Sequence, residues 1–325
     1  IAMLVPMFIS MDDITQKIAD EVEATTGRKL AVDGEKSLAV FPSLALQLEQ
    51  VRFSNSAGGS RSDMATVESL DVLIPWLSLL SDELKIEKFV INNPDILLEI
   101  DAAGNANWDI MPTAEPAPDS QEGKTQSLPA GFDISLGEVA IYGGRVRLLN
   151  HQAGSEQLLE ELDLVIGLPS LQEQLTLKGK VTWMDEVLQL GVALATPAGV
   201  LAGEPFDLEL TLDSRLLAMV YRGNVSDSGS RVTGSLEIAG DSLQELAAWQ
   251  EVALEGGEDA FKRFALSGDM VFAADVLKIS ELEARLDALE IKGSSTLSLT
   301  DPPDIRANLD LGMLDLNPYL PPSAT

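Results

Sequence analysis

A single change of hydrophobic period, from 3.6 to 2 just after Gly27, constrains this chain more than any other feature. Before it, Ile14, Ile18, Ala19 and Val22 recur at helical spacing, with Asp12 and Asp13 in front and Gly27 just past the end. That predicts an amphipathic helix over 12–26. After it, Leu44, Leu46 and Leu48 alternate with Ala45, Gln47 and Glu49, and Ile96, Leu98 and Ile100 with Leu97, Glu99 and Asp101. Farther on, Leu175, Leu177, Gly179, Val181 and Trp183 alternate with Thr176, Lys178, Lys180 and Thr182. Leu208, Leu210 and Leu212 do so with Asp207, Glu209, Thr211 and Asp213, and Ile305, Ala307, Leu309 and Leu311 with Asp304, Arg306, Asn308 and Asp310. Each such segment is a strand with one dry face. Turns such as Ser226-Asp227-Ser228-Gly229 and Asp301-Pro302-Pro303 follow at short intervals, so the expected fold is mainly β, an antiparallel meander without βαβ crossovers. A few short helices are expected to cap the sheet, one opened by Pro75 and running to Leu80, another near 242–254.

Charge and composition exclude several kinds of function. With 22 Lys+Arg against 52 Asp+Glu the net charge is −30, so the basic footprint of a nucleic-acid binder is missing. There is no cysteine and one histidine, His151, which removes disulfides, Cys/His zinc sites and cysteine nucleophiles. No phosphate loop, dinucleotide fingerprint, zincin helix or nucleophile elbow is present. His151 stands in Asn150-His151-Gln152-Ala153-Gly154, where it reads as a solvated turn residue. Asp101-Ala102-Ala103-Gly104-Asn105 reads as a turn, because it lacks the spacing and closing glutamate of a calcium loop. With 52 acids any proposed catalytic pair is arbitrary, and 16 aromatic residues leave little for a sugar-binding cleft. The expectation is a protein that is not an enzyme and takes no cofactor or metal.

Residues 1–9 form an uncharged apolar run, too short for the about 20 residues that span a bilayer. Two readings are open from the residues alone: the start of a buried element, or the trailing end of a transmembrane anchor. Residues 113–131 carry Pro116, Pro118 and Pro129 among small and polar residues and read as a linker or mobile loop.

Several motifs are more specific. Thr26-Gly27-Arg28 and the following residues to Gly34, Phe41-Pro42-Ser43-Leu44, Val51-Arg52-Phe53-Ser54-Asn55, Asn93-Pro94 and Gly104-Asn105-Ala106-Asn107-Trp108 stand in fixed order. Together they resemble the N-terminal domain of the AsmA-like family over roughly residues 5 to 112. Residues 293–321, with Asp315-Leu316-Asn317-Pro318-Tyr319, are similar to a repeat from the middle of family members. Ala45 stands where the family often has glycine. The resemblance implies a division into a remnant of an N-terminal anchor (1–10), an AsmA N-terminal domain (11–112), a linker (113–131) and a β-rich segment (132–325) of a longer protein. It also implies a Gram-negative protein anchored in the inner membrane with its body in the periplasm. The family is implicated in outer-membrane biogenesis, and its larger relatives resemble bridge-like lipid transfer proteins.

That kinship turns the meander into an expected elongated hydrophobic groove, although the alternation alone would serve a closed sandwich equally. The partner implied is phospholipid or another envelope lipid, held without catalysis by the aliphatic face. Leu175, Leu177, Val181, Leu208, Leu210, Leu212, Leu309 and Leu311 represent that face. A scaffold assisting outer-membrane protein assembly, with envelope protein partners, is the alternative.

Overall fold

The computed structural model describes residues 11–41, 43–78, 83–110, 133–257, 259–299, 302–312, 315 and 317–320. The apolar run at 1–9 and the segment 113–131 lie outside the described residues. Two compact units result, one reaching to Leu171 and including Gly179–Trp183, the other comprising Gln172–Lys178 and Met184 onward.

In the first unit the expected helix is present as α1 (Met11–Thr26). Its end is closed locally: the Gly27 N–H donates to the Glu23 carbonyl at 2.8 Å, and the Thr26 hydroxyl donates to the Val22 carbonyl at 2.5 Å. Strands β1 (Leu30–Val32) and β2 (Lys36–Ala39) then pair antiparallel along β3 (Ser43–Ser54), which pairs with β4 (Asp63–Pro75). Register follows the dry face, with Leu44, Leu46 and Leu48 opposite Ile74, Val72 and Leu70.

Next come β5 (Glu83–Asn92) and β6 (Asp95–Ile100), two halves of one strand line broken at Asn93-Pro94, both antiparallel to β4. Strand β7 (Asp133–Asn150) then runs parallel to β5 and β6, before β8 (Ser155–Leu168) returns antiparallel to it. This parallel step departs from a pure meander. It is possible because residues 101–132 separate β6 from β7, long enough for the crossover that parallel pairing requires. The break is matched across the pair. Asn93 donates its N–H to the Tyr142 carbonyl and its side-chain oxygen fills the place a Cβ would occupy at Gly143, whose φ is +64°. Only glycine fits that bulge.

The short helix expected over 75–80 does not start at Pro75, although Ser78 stands in a 3-10 turn. Pro75 still pairs with Ser43 as the last residue of β4, where its missing N–H costs nothing, and Trp76 and Leu77 form a turn. Residues 79–82 lie outside the described residues.

The second unit is the expected antiparallel meander. Strands β10 (Glu186–Leu194), β11 (Phe206–Asp213), β12 (Ala218–Ser226), β13 (Arg231–Gly240), β14 (Phe264–Ala273), β15 (Val276–Leu286), β16 (Leu289–Ser298) and β17 (Asp304–Asp310) each pair with the next. Strand β9 (Leu175–Trp183) gives 175–178 to this unit. Tight hairpins carry the left-handed residues their twist demands, as at Ala274 and Asp275 between β14 and β15. Two short helices interrupt the meander, α2 (Pro197–Leu201) and α3 (Leu243–Trp249). The latter lies within the expected 242–254, and its N-cap Ser242 accepts the Glu245 N–H at 3.1 Å.

Candidate functional site

Because strand residues alternate in direction, the pairing registers assign each side chain of β10–β17 to one of two faces. On one face Leu190, Val192 and Leu194 stand opposite Leu212, Leu210 and Leu208. Those in turn face Met219, Tyr221 and Gly223, then Ile238, Leu236 and Gly234. The row continues through Leu266, Gly268 and Met270 of β14, and Ile279, Leu282 and Ala284 of β15. Ile291, Gly293 and Leu297 of β16 follow, with Ile305, Ala307 and Leu309 of β17. Among the described residues of these eight strands one charged side chain shares this face, Glu186 at the start of β10, which is buried and paired with Arg215; from Leu190 to Leu309 the paired rows carry none. The opposite face carries Asp207, Glu209, Arg222, Glu237, Asp269, Lys278, Glu283, Lys292, Arg306 and Asp310.

The wet face is laced by cross-strand ion pairs, Arg222 to Glu209 at 3.2 Å and Lys292 to Glu283 at 2.8 Å. The hydrogen bond and charge of Lys292 hold the Glu283 carboxyl below its ordinary value, and Glu283 raises Lys292 in return. Both are exposed, so the pairs orient the surface more than they stabilise it.

The dry face is lined but not sealed. Most of its side chains are half-buried, and among the described residues no large side chain is fully buried. A closed sandwich would bury its inner rows completely. Tyr221 is an exception. Its ring covers the Gly223–Gly234 pair, where added Cβ atoms would strike the facing backbone, and its buried hydroxyl donates to the Thr233 carbonyl at 3.0 Å. Burial pushes the Tyr221 hydroxyl pKa up, so it stays neutral in an apolar row.

Of the residues singled out from the sequence, Leu208, Leu210 and Leu212 sit together on β11, next to the β10 end of this row, half-buried. Leu309 lies at its β17 end, exposed, and Leu311 follows the strand, half-buried. Leu175 and Leu177 are half-buried in the same unit. Val181 belongs to the first unit and is buried, which leaves little of it to meet a ligand. Sequence reasoning passed over Met219, Leu236, Ile238, Leu266 and Met270. Gly234 and Gly268 dilute the apolar row there, and Val220 and Val271 put branched residues on the wet side, so the period of two is blurred.

The first unit holds a polar cluster built from the specific motifs. Asn107 is buried; its amide donates to the Leu97 carbonyl and to Asn55 Oδ1, each at 2.9 Å, and its Oδ1 accepts the Glu99 N–H at 2.9 Å. Arg28 Nη2 donates to the Asn107 carbonyl at 3.1 Å. The buried Glu99 carboxylate accepts the Ser60 N–H at 3.0 Å and lies 2.7 Å from His151 Nε2. His151 is therefore a paired residue, not simply a solvated one. Burial raises the Glu99 pKa, but the Ser60 N–H, His151 and Asn55 outweigh it and hold the carboxyl below its ordinary range. The Asp101 turn closes as expected, its Oδ1 accepting the N–H groups of Ala103 and Asn105. The partners in this cluster fix loops, and the side-chain bond of His151 goes to Glu99.

The sequence profile of the AsmA family matches residues 1–316. The chain belongs to the AsmA family. No curated protein and no solved structure matches it. The AsmA motifs Thr26-Gly27-Arg28, Asn55 and Asn105-Ala106-Asn107 are thus the residues that tie α1, the β3 end and the β6 turn into one cluster. AsmA proteins are associated with the cell envelope and its biogenesis, and the family is not known as an enzyme family.

Proposed function

We propose that this AsmA chain is a non-catalytic lipid-binding and lipid-transfer protein that contributes to outer-membrane biogenesis and envelope integrity, anchored at the inner membrane with its body in the periplasm. One observation carries the reading: the half-accessible apolar rows that run from Leu190 of β10 to Leu309 of β17 without a charged side chain, the face's one acid, Glu186, being paired with Arg215 at the start of β10. Eight strands at about 4.8 Å spacing carry such a face over roughly 34 Å. Continuity is what a lipid needs. At about 0.8 kcal/mol per CH₂, a sixteen-carbon chain loses about 12 kcal/mol on entering water, so a charged interruption would stop it. A groove in which Leu208, Leu210 and Leu212 meet the acyl chain matches this chemistry, with the acidic face keeping the protein in solution.

Transfer of a fluorescent phospholipid between donor and acceptor vesicles tests the proposal. The wild-type chain is expected to accelerate transfer and Leu236→Asp, on the same face, to abolish it. A wild-type chain that moves no lipid contradicts it.

A second reading, assistance to outer-membrane protein assembly, is favoured by β17, all seven of whose residues are exposed. A photo-crosslinker at Asn308 that captures envelope proteins, in a chain that binds no lipid, supports that reading over the first.

A further inference from the structure

Three large apolar side chains of the first unit stand out in solvent at one place. Phe41 is 78 % exposed, Trp76 41 % and Leu77 81 %. They come from two turns that the sheet brings together, since Ser43, two residues after Phe41, pairs with Pro75 just before Trp76. The turns are also fastened: the Trp76 indole N–H donates to the Val40 carbonyl, and the Ser78 hydroxyl donates to the Pro75 carbonyl at 2.8 Å. The polar atom of the indole is thus satisfied within the protein while its hydrocarbon faces out.

We propose that Phe41, Trp76 and Leu77 form a membrane-contact tip that inserts into the interfacial layer of a lipid bilayer. Indole, phenyl and leucyl groups on a loop tip favour that layer. The placement agrees. Thr26 leads to β1, whereas Asp12, 3.1 Å from Lys36, marks the start of α1 beside β2, so the helix points back along the β1-to-β2 direction, which ends at Phe41. The sequence before α1 is the uncharged apolar run 1–9, side chains of the same chemistry. Charge selects the mode of contact. A net charge of −30 repels anionic headgroups, so adsorption is driven by apolar insertion and is insensitive to salt. This inference does not rest on the lipid-transfer reading.

The test is flotation of the full 325-residue chain with phosphatidylcholine vesicles, at low salt and at 0.15 M salt. Phe41→Ser/Leu77→Ser is expected to reduce the vesicle-bound fraction at least about tenfold, with an unchanged circular dichroism spectrum, because both side chains are already in water. With Trp108, Trp183 and Trp249 replaced by Phe, Trp76 emission is expected to shift to the blue on vesicle addition and to be quenched by brominated acyl chains. Val187→Ser, at an exposed apolar side chain of the second unit, is expected to float as well as wild type, which separates this tip from exposed apolar side chains in general. Undiminished flotation of the double variant overturns the proposal. So does Trp76 emission indifferent to vesicles, or a double variant whose only change is its oligomeric state.

Discussion

His151 Nε2 lies 2.7 Å from Glu99 Oε1, joining a half-exposed turn to a carboxylate that is 7 % exposed at its side chain. The same carboxylate holds the Ser60 loop, and Asn107 clamps the Glu99 backbone on both sides, donating its N–H to the Glu99 carbonyl at 2.8 Å and accepting the Glu99 N–H. The cluster thereby joins three separate loops into one corner, to which Arg28, just past α1, is tied through the Asn107 carbonyl.

Acid is expected to loosen this corner. Glu99 has a folded pKa below its ordinary 4.5, so its contribution to stability is fully present above that value and is lost as pH falls through the lower folded value. Urea midpoints of wild type and Glu99→Gln, measured from pH 7 to pH 3, are expected to converge at the acid end. A difference that stays constant over that range argues against a charged Glu99.

Removal of Asn107 should cost more than removal of His151. Asn107→Ala leaves the Glu99 N–H and the Leu97 carbonyl without their buried partner and is expected to lower stability by about 2–3 kcal/mol. His151→Ala exposes Glu99 to water from one side only and should cost about 1 kcal/mol or less. Equilibrium denaturation of the two variants gives the order directly.

The glycine pair under Tyr221 makes a third prediction. A Cβ at Gly223 would press on the Thr233 carbonyl and the Tyr221 hydroxyl, so Gly223→Ala must shift the β12–β13 pairing or expel the ring. A loss of about 1–3 kcal/mol is expected. Because the site lies in the apolar row, lipid retention should fall with it; unchanged stability would show that the strands part more easily than their registers imply.

Much of this was legible from residue spacing. The alternation at Leu208–Leu210–Leu212 places the three leucines on one face, as their register does, because each is flanked by a charged residue or threonine. Val181 shows the limit: alternation reports which side is dry, and nothing about whether a ligand or the protein itself covers it. The parallel run of β7 was not readable, because direction depends on where the chain returns after residues 101–132, which local pattern does not encode. Pro75 misled for a related reason. Proline suits the first turn of a helix and the last residue of a strand equally, and the pairing with Ser43 decides between them. His151 looked isolated because its partner, Glu99, is 52 positions away in sequence.

The central claim is that the apolar face of β10–β17 holds lipid. Native mass spectrometry of the chain purified from a bacterial host, with extraction and identification of bound lipid, tests it most directly for wild type and Leu210→Asp. Leu210 stands between Val192 and Tyr221 and is half-buried, so aspartate there meets water in an open groove and is an unpaired charge in a sealed core. The account predicts stoichiometric phospholipid on wild type and a folded, lipid-free Leu210→Asp. A wild-type chain without lipid, or a folded variant that keeps its lipid, contradicts it.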